Sequence, residues 1–541
     1  MNRHIKVWHI AMLLVFSIAW SKKSVAQGFD PQEVTIISDY KARIEQADKI
    51  SYVPRAEEPS MLDSNLSYEI PDKLIKLDYE PAELKPLGTP KEKLKRYPAS
   101  YIKLGFGNRI TPLAEIVYNE TSLQNTTVGA YYKHLSSSGK RENQKFSSNT
   151  AGAYLTQYFD KFKFGASFDY ERDVHHFYGY DPDSFSFDSK DVRQRLRTFQ
   201  GGLDFGTATV NSTRTEFSQD FNFRHSSTLP GDKEQAYIGT TAVKQRILNY
   251  HSVSADFTFN INRLDFVSGT QLNRNVFNFG GEYRFNNDDW DVSAGFEVAF
   301  DDTCVFFFPR INFSKRLFEQ KLIFYAGWNT QLEVNTLYSL TQQNPYLQTN
   351  PEIRNARVED RMAGFKGSFK TVTYDLRFSN KVIRNMPLYV NDTNDFKRFV
   401  TVYDPKLSVF NVHLGFAMDI KKNLTLGLTT DFNVYSPSDS VSVAWHMPTF
   451  NMNFYAKYNF KNKVLVRADI LAVSGAQARE IDGSVVTLKG TADVSLEAEY
   501  IFSKYFSAFV QLNNLGSINY QRYLNYPSFG FIGIIGARFS Y

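Results

Sequence analysis

The sequence predicts an all-β protein, a transmembrane antiparallel β-barrel of about 22 strands that follows a short extended N-terminal segment. Three observations predict this class. Aromatic residues make up 16% of the 541 residues, yet the mean hydropathy is −0.38. Beyond the N-terminus, no apolar run approaches the roughly 20 residues that a membrane helix needs. Segments of about ten residues instead alternate between apolar and polar, as barrel strands with one lipid face and one wet face do.

The first element is an export signal over residues 1–26. Arg3 and Lys6 precede an apolar run from Ile10 to Trp20, and small residues follow up to Ala26. This order of charged, apolar and small-residue regions is typical of a secretory signal peptide, and it predicts cleavage after Ala26. Together with barrel strands, an export signal indicates the outer membrane of a Gram-negative bacterium.

The second element, residues 27–98, has frequent prolines and charges, few aromatic residues and no sustained hydrophobic period. This composition predicts an extended periplasmic arm. Apolar residues within it, such as Ile50 and Leu74, need some burial. We expect the arm to insert at least partly into the barrel lumen, with binding to a partner protein as the alternative.

The third element is the barrel itself, over residues 99–541. Along one segment, for example, Val494 and Leu496 alternate with Asp493 and Glu497. A charge at every second position is tolerated only if that face is wet, so the apolar set is expected to face lipid. Pairing the segments into hairpins gives about 22 strands between Tyr101 and Tyr541, with 20 or 24 as competing counts.

Polar turns and longer connections divide the barrel into two rims. Short turns are predicted at residues 160–161, 286–289, 421–423, 461–463 and 503–504. Long connections are predicted at residues 136–146, 177–192, 227–243 and 336–358. In barrels of this kind short turns lie on the periplasmic side and long loops outside.

Neither the charge nor the reactive residues indicate nucleic-acid binding, metal binding or catalysis. The formal net charge is only +5 and both signs are mixed along the chain, which argues against a nucleic-acid partner. Cys304, the single cysteine, cannot form an intrachain disulfide. The group Asp173, His175 and His176 could be considered for a metal, but adjacent histidines on a strand point to opposite faces. The sequence thus predicts no enzyme, no cofactor and no metal site.

The last predicted strand carries an aromatic C-terminus. Phe539 and the terminal Tyr541 fall on the same face as Ile535 and Ala537. This arrangement resembles the assembly signal of outer-membrane barrels. Phe539 and Tyr541 are accordingly expected to be read by the outer-membrane barrel assembly machinery.

Several motifs resemble those of one transport family. Those near the C-terminus, Asn513-Asn514-Leu515, Tyr520-Gln521-Arg522-Tyr523 and Tyr526-Pro527, are similar to the final hairpin of TonB-dependent receptors. The motifs Asn344-Pro345-Tyr346 and Gly364-Phe365-Lys366-Gly367 resemble receptor-like barrels of Bacteroidota type. The resemblance implies a barrel that takes part in the uptake of a solute across the outer membrane.

The resemblance ends at the N-terminus, where residues 27–98 are too short for the plug domain of that family. Within them, Glu33-Val34-Thr35-Ile36-Ile37 resembles a TonB box, a segment that adds as a strand to TonB. An ordinary extended segment that docks on the barrel's own edge or on a partner is the alternative. Two functions follow: solute uptake by a receptor-like barrel, or a plugless barrel serving as a structural or assembly subunit of an outer-membrane complex. An open pore is disfavoured because so wide a lumen would breach the permeability barrier.

Overall fold

The structure is a computed structural model, and it describes residues 100–541 except residues 121, 122, 124, 209–214, 230, 303, 351, 421 and 422. The predicted signal peptide (residues 1–26), the arm (residues 27–98) and the segment Glu33–Ile37 lie outside the described residues. So do residues 421 and 422 of one predicted turn.

One antiparallel sheet of 22 strands dominates the described part of the chain. Its strands are β1 (Tyr101–Gly107), β2 (Thr111–Glu120), β3 (Thr126–Ser138), β4 (Lys145–Tyr158), β5 (Phe162–His176), β6 (Arg193–Thr207), β7 (Thr215–Thr228), β8 (Lys233–Leu248), β9 (His251–Asp265), β10 (Gln271–Asn286), β11 (Trp290–Asp301), β12 (Cys304–Phe318), β13 (Leu322–Glu333), β14 (Ala356–Phe369), β15 (Val372–Arg384), β18 (Leu407–Ile420), β19 (Leu424–Ser436), β20 (Phe450–Phe460), β21 (Val464–Val473), β24 (Thr491–Ile501), β25 (Phe506–Asn513) and β28 (Ile532–Ser540). The predicted count of 22 is confirmed.

Smaller elements lie in the connections between barrel strands. They are one helix, α1 (Leu337–Gln343), and the short strands β16 (Met386–Asn391), β17 (Phe399–Asp404), β22 (Gln477–Arg479), β23 (Val485–Thr487), β26 (Gln521–Tyr523) and β27 (Tyr526–Pro527). These strands pair as hairpins within their own connections. In the described residues no helix has the length and apolar character to cross a membrane.

The sheet closes on itself through its first and last strands. β1 pairs with β28 in register, with Ile102 opposite Phe539 and Gly105 opposite Gly536. The backbone N–H of Tyr541 also donates to the Ser100 carbonyl at 3.0 Å. Closure leaves no open edge strand, so strand backbone groups hydrogen-bond to a neighbouring strand rather than to solvent.

The two faces of the sheet differ in polarity as the alternation predicts. On the outer face, Phe168 and Phe432 are 52% and 53% exposed. On the lumen face, His413 and Asp431 lie opposite each other on β18 and β19, with 2.9 Å between Nδ1 and Oδ1. An apolar surface that encircles a barrel suits a bilayer, whereas a soluble protein would bury it.

The connections also alternate in length. Residues 461–463 and 503–504 form short turns at one rim, called here the short-turn end, while residues 177–192 form a long connection at the opposite rim, the long-loop end. Residue 100 and Tyr541 lie at the short-turn end. These assignments agree with the sequence prediction.

One predicted connection, residues 227–243, is wrong. β8 begins at Lys233 and continues through this segment, which leaves only residues 229–232 as the connection. The prediction failed because the outer face of β8 includes Gly239, which carries no side chain. Phe221 and Phe259 flank Gly239 on the neighbouring strands, and the Phe259 ring lies over it. The apolar surface is thus supplied by the neighbours.

A pair of substitutions on β24 tests the assignment of faces. Leu496→Arg places a cation on the outer face and is expected to cost about 2–4 kcal/mol of folding free energy in a bilayer. Ser495→Arg points into the lumen, opposite Asp469, and is expected to cost far less. Unfolding by urea from lipid vesicles measures both. Equal losses would show that the two faces are assigned wrongly.

Candidate functional site

The long-loop end is covered by connections that share a hydrophobic core. We call this region the cap; it comprises residues 177–192, the helical loop (334–355), the hairpin loop (385–406), residues 437–449 and the terminal loop (514–531). Its main cluster joins four of these connections to the C-terminal end of β9 and the turn after it. The buried members are Tyr178, Leu264, Phe266, Leu337, Leu340, Leu347, Ile353, Tyr389, Phe399, Tyr523 and Tyr526.

The helical loop bends inward and contacts the lumen face of the barrel. Tyr338 of α1 donates from its hydroxyl to Glu171 Oε2 and from its backbone N–H to Glu234 Oε2, each at 3.1 Å. Arg224 pairs with Glu234 at 3.0 Å, and its guanidinium lies 4.4 Å from the centre of the Tyr338 ring. The Glu234 side chain is fully buried. This buried ion pair positions α1 across part of the lumen.

Both ends of the helical loop are held by a single lumen-facing cation. Arg274 on β10 donates to the Asn335 carbonyl and to the Asn355 side-chain oxygen. Asn355 in turn donates to Asp301 Oδ2 on β11 at 2.9 Å. Arg274 is only 7% exposed, so its charge is directed at these oxygens rather than at water.

Backbone hydrogen bonds connect the helical loop to the hairpin loop. The Phe399 N–H donates to the Tyr346 carbonyl at 3.0 Å, and the Gln348 N–H donates to the Phe399 carbonyl at 2.8 Å. On its other side the hairpin packs Leu388 and Val390 against Trp445. The hairpin loop therefore links the helical loop to residues 437–449.

His446 lies where three connections meet. Its Nε2 accepts from the Leu524 N–H at 3.2 Å, so Nδ1 carries the proton and donates to the Tyr389 carbonyl at 2.9 Å. Burial lowers the pKa of His446 to about 4. The neutral ring satisfies both neighbours, whereas a second ring proton would face the Leu524 N–H.

Four tyrosines form a stack within the cap. Tyr346 and Tyr526 lie face to face with 3.6 Å between ring centres, and Tyr178 meets Tyr526 edge-on at 4.9 Å. Tyr523 packs edge-on against Tyr346 and donates its hydroxyl to the Gln343 carbonyl at 2.7 Å. Burial raises the pKa of all four phenols, so they stay protonated.

This stack borders a cavity of about 610 Å³, within the size range of small-molecule sites. Barrel strands supply one side, including Asp173 and His175, and the cap supplies the other, including Gln342, Gln343 and Arg522. Asp173 accepts from the Ser148 hydroxyl at 2.6 Å. The lining thus combines flat aromatic faces with amide and hydroxyl groups and a few charges, a combination that suits a solute with rings and hydrogen-bonding substituents.

The residues singled out from the sequence fall in different places. His175 lines the cavity, whereas the His176 ring contacts the Lys145 carbonyl on the outer face, as expected for neighbours on a strand. No metal-ligating group of histidine, cysteine and carboxylate residues occurs in the part of the chain that the structure describes. Phe539 and Tyr541 lie at the short-turn end, away from the cavity.

The cavity tyrosines were not identified as a site from the sequence. Tyr346, Tyr523 and Tyr526 occur in motifs that were used only for the family resemblance. The available signal was the presence of aromatic residues in otherwise polar connections. Their convergence could not be predicted, because the helical and terminal loops are far apart along the chain.

Comparison with known proteins gives structural likeness only. No protein-family model matches the chain, and no curated protein matches its sequence. Among solved structures, the ferric enterobactin receptor PfeA of Pseudomonas aeruginosa is similar with a TM-score of 0.65 and 11% identity, covering 82% of this chain and 80% of that one. The siderophore receptor PirA of Acinetobacter baumannii has a TM-score of 0.65 and 9% identity, with the same coverages.

A third similar structure is FpvA of P. aeruginosa bound to a pyoverdine, with a TM-score of 0.59 and 11% identity over 82% of this chain and 71% of that one. At such identities the likeness establishes a shared fold, the closed barrel of 22 antiparallel strands.

The buried ion pair predicts how the helical loop is held. Glu234→Gln removes the charge that faces Arg224. It is expected to lower the stability of the closed cap by on the order of 3–5 kcal/mol of free energy. Release of α1 should raise the single-channel conductance in planar bilayers. Lys103→Gln is the control, because Lys103 pairs with Glu497 on the lumen face away from the cap. Unchanged conductance in Glu234→Gln would contradict closure by the helical loop.

His446 predicts that acid weakens the cap. An exposed histidine titrates near 6.5, whereas His446 in the closed cap does so near 4. Between these values only the open state takes up the proton, so cap stability is complete above pH 6.5 and falls as the pH drops towards 4. The hydrogen-exchange protection factor of the Leu524 amide should decrease in that window. In His446→Gln, this protection factor should no longer depend on pH in that window. A pH dependence equal to that of the unsubstituted protein would refute the assignment to His446.

Proposed function

We propose that this chain is a receptor-like barrel of the outer membrane of a Gram-negative bacterium, and that it takes part in the uptake of a ring-bearing solute. The observation that carries the proposal is the cavity bordered by Tyr346 and Tyr526 at the long-loop end. It adjoins the lumen face of β5, which contributes Asp173 and His175. A solute bound there occupies the entrance to the barrel.

Membrane location and orientation are supported by the outer face and by the rims. The outer face exposes large apolar side chains such as Phe168 and Phe432, for which a bilayer is the favourable solvent. In such barrels short turns face the periplasm and long loops face the exterior. The cavity then opens towards the outside, where a scarce solute would be captured.

The likeness in fold supports a transport role rather than an enzymatic one. Two of the similar structures are described as a ferric enterobactin receptor and a siderophore receptor, and the third, FpvA, is bound to a pyoverdine. We extend this role to the present chain because its own cap forms a cavity of suitable size. Coupling to TonB is part of the proposal: Glu33-Val34-Thr35-Ile36-Ile37 would add as a strand to the periplasmic partner.

The last strand supports a proposal about biogenesis. Phe539 is 52% exposed on the outer face and packs against Phe506 with 5.0 Å between ring centres. Tyr541 follows at the short-turn end, next to β1. Until β1 pairs with β28, the edge of the last strand is open beside this exposed aromatic terminus, which suits recognition by the barrel assembly machinery.

Binding of ferric enterobactin, the solute named for one similar structure, tests the proposal directly. Saturable quenching of tyrosine fluorescence is expected. Tyr346→Ala removes one stacking ring and should weaken binding about fivefold, which corresponds to roughly 1 kcal/mol. Tyr346→Phe is the matched control and should bind nearly as the unsubstituted protein does, because its ring is retained and the hydroxyl contact with Tyr178 is long at 3.4 Å.

Two further outcomes separate binding from uptake. Thr35→Pro removes a backbone donor from the proposed TonB-binding strand, so cellular uptake should be lost while binding is retained. If no binding of ring-bearing solutes occurs and a protein co-purifies on the cap, the uptake proposal fails. A structural or assembly subunit of an outer-membrane complex would then be the better account.

A further inference from the structure

The outer face of the barrel changes from apolar to basic near the long-loop end of β5 and β6. Arg172, Arg193, Arg195 and Arg197 form what we call the outer arginine patch. In the register, Arg172 lies opposite Arg197, and Arg193 lies opposite His176. Arg172 alternates along β5 with the lumen-facing Glu171 and Asp173, so it points outward. The three arginines of β6 lie opposite outward positions of β5 and therefore point outward as well.

The patch has no acidic partner among the described residues. None of the four guanidinium groups forms an ion pair there, and the Nε atoms of Arg193 and Arg197 are buried without a hydrogen-bond partner. Like charges directly opposite each other on neighbouring strands are destabilising. Arg172 and Arg197 are therefore an unfavourable pair unless an external anion lies between them.

On β5 and β6 the arginines lie on the outer face, whereas the carboxylates lie on the lumen face. Beside the patch, the outward positions of β4 and β7 carry Asn149 and Ser227 in the row of Arg172 and Arg197. The carboxylates of these strands face the lumen instead. They include Asp169, Glu171 and Asp173 on β5, Asp220 on β7 and Glu234 on β8. The positive potential of the patch is consequently directed outward.

Immediately towards the short-turn end, the outer face becomes aromatic. Tyr170 and Phe199 lie in the next outward row, with 4.9 Å between ring centres, and Phe168 packs against Phe199 at 6.5 Å. Phe199 and Phe168 are 41% and 52% exposed. A basic row above an apolar wall matches a ligand that has an anionic head and hydrocarbon chains.

We propose that the outer arginine patch binds the phosphate group of a lipid in the surrounding leaflet. Guanidinium groups donate in a planar fork that fits phosphate oxygens, and a phosphate between Arg172 and Arg197 would replace their repulsion by two attractions. The acyl chains would lie along Phe168 and Phe199. The inference rests on the proposed membrane location, since only there does this face meet lipid.

Stability in vesicles of defined composition tests the patch. The full-length protein is folded into phosphatidylcholine vesicles with or without phosphatidylglycerol, and its urea unfolding midpoint is measured. Phosphatidylglycerol should stabilise the unsubstituted protein. In the double variant Arg172→Gln/Arg197→Gln, the apparent affinity for this lipid should fall about tenfold for each guanidinium removed. In phosphatidylcholine alone, the variant should be at least as stable, because the repulsion is gone.

Controls keep the test specific. Arg263→Gln should keep the full response, because Arg263 is an outward cation paired with Asp265 at 3.3 Å. Cholesteryl hemisuccinate, an anionic carboxylate lipid, should stabilise less than phosphatidylglycerol. Equal stabilisation by both lipids, or equal loss of stability by the double variant in both vesicles, would overturn the proposal. Failure to enter either vesicle would overturn the membrane location as well, whereas normal insertion without a lipid response overturns the patch alone.

Discussion

The hydrogen bonds that close the sheet between β1 and β28 are the constraint on which the rest of the molecule depends. In a bilayer, backbone groups have no water to bind, so a sheet can span it only without edges. Pairing of Ile102 with Phe539 and of Gly105 with Gly536 removes the last two edges. Closure with 22 strands also creates a wide lumen, and this lumen must be obstructed if the membrane is to remain a barrier.

The cap provides this obstruction. Polar contacts hold it against the lumen face of the barrel, and aromatic packing joins its connections to one another. Arg224 and Glu234 hold α1 against the lumen face, and Arg274 holds both ends of the same loop. Such buried charges contribute position more than net stability, because their desolvation offsets most of the attraction. The tyrosine stack around Tyr346 and Tyr526 then joins the connections above them. The same contacts that obstruct the barrel thereby form the cavity.

The barrel was largely predictable from the sequence, and the site was not. Strands such as β24 show a period of two because the outer face of the sheet is apolar and the lumen face is polar, and that signal is local. The first part of β8 was not predicted as a strand, because Gly239 has no side chain and Phe259 of the neighbouring strand supplies the apolar surface at that position. The helix α1, the hairpin loop and the cavity depend on contacts between residues far apart, such as Tyr523 with Gln343. Alternation carries no information about those contacts.

Accessibility of a buried cap residue tests the central claim most directly, that the cap is a packed closure rather than a set of free loops. Leu340, 3% exposed, is replaced by cysteine in a Cys304→Ser background, and labelling by a membrane-impermeant maleimide is followed on intact cells. Ser268→Cys, at an exposed turn, serves as the reference. The account predicts much slower labelling at position 340 than at position 268. Equal rates at the two positions would contradict it.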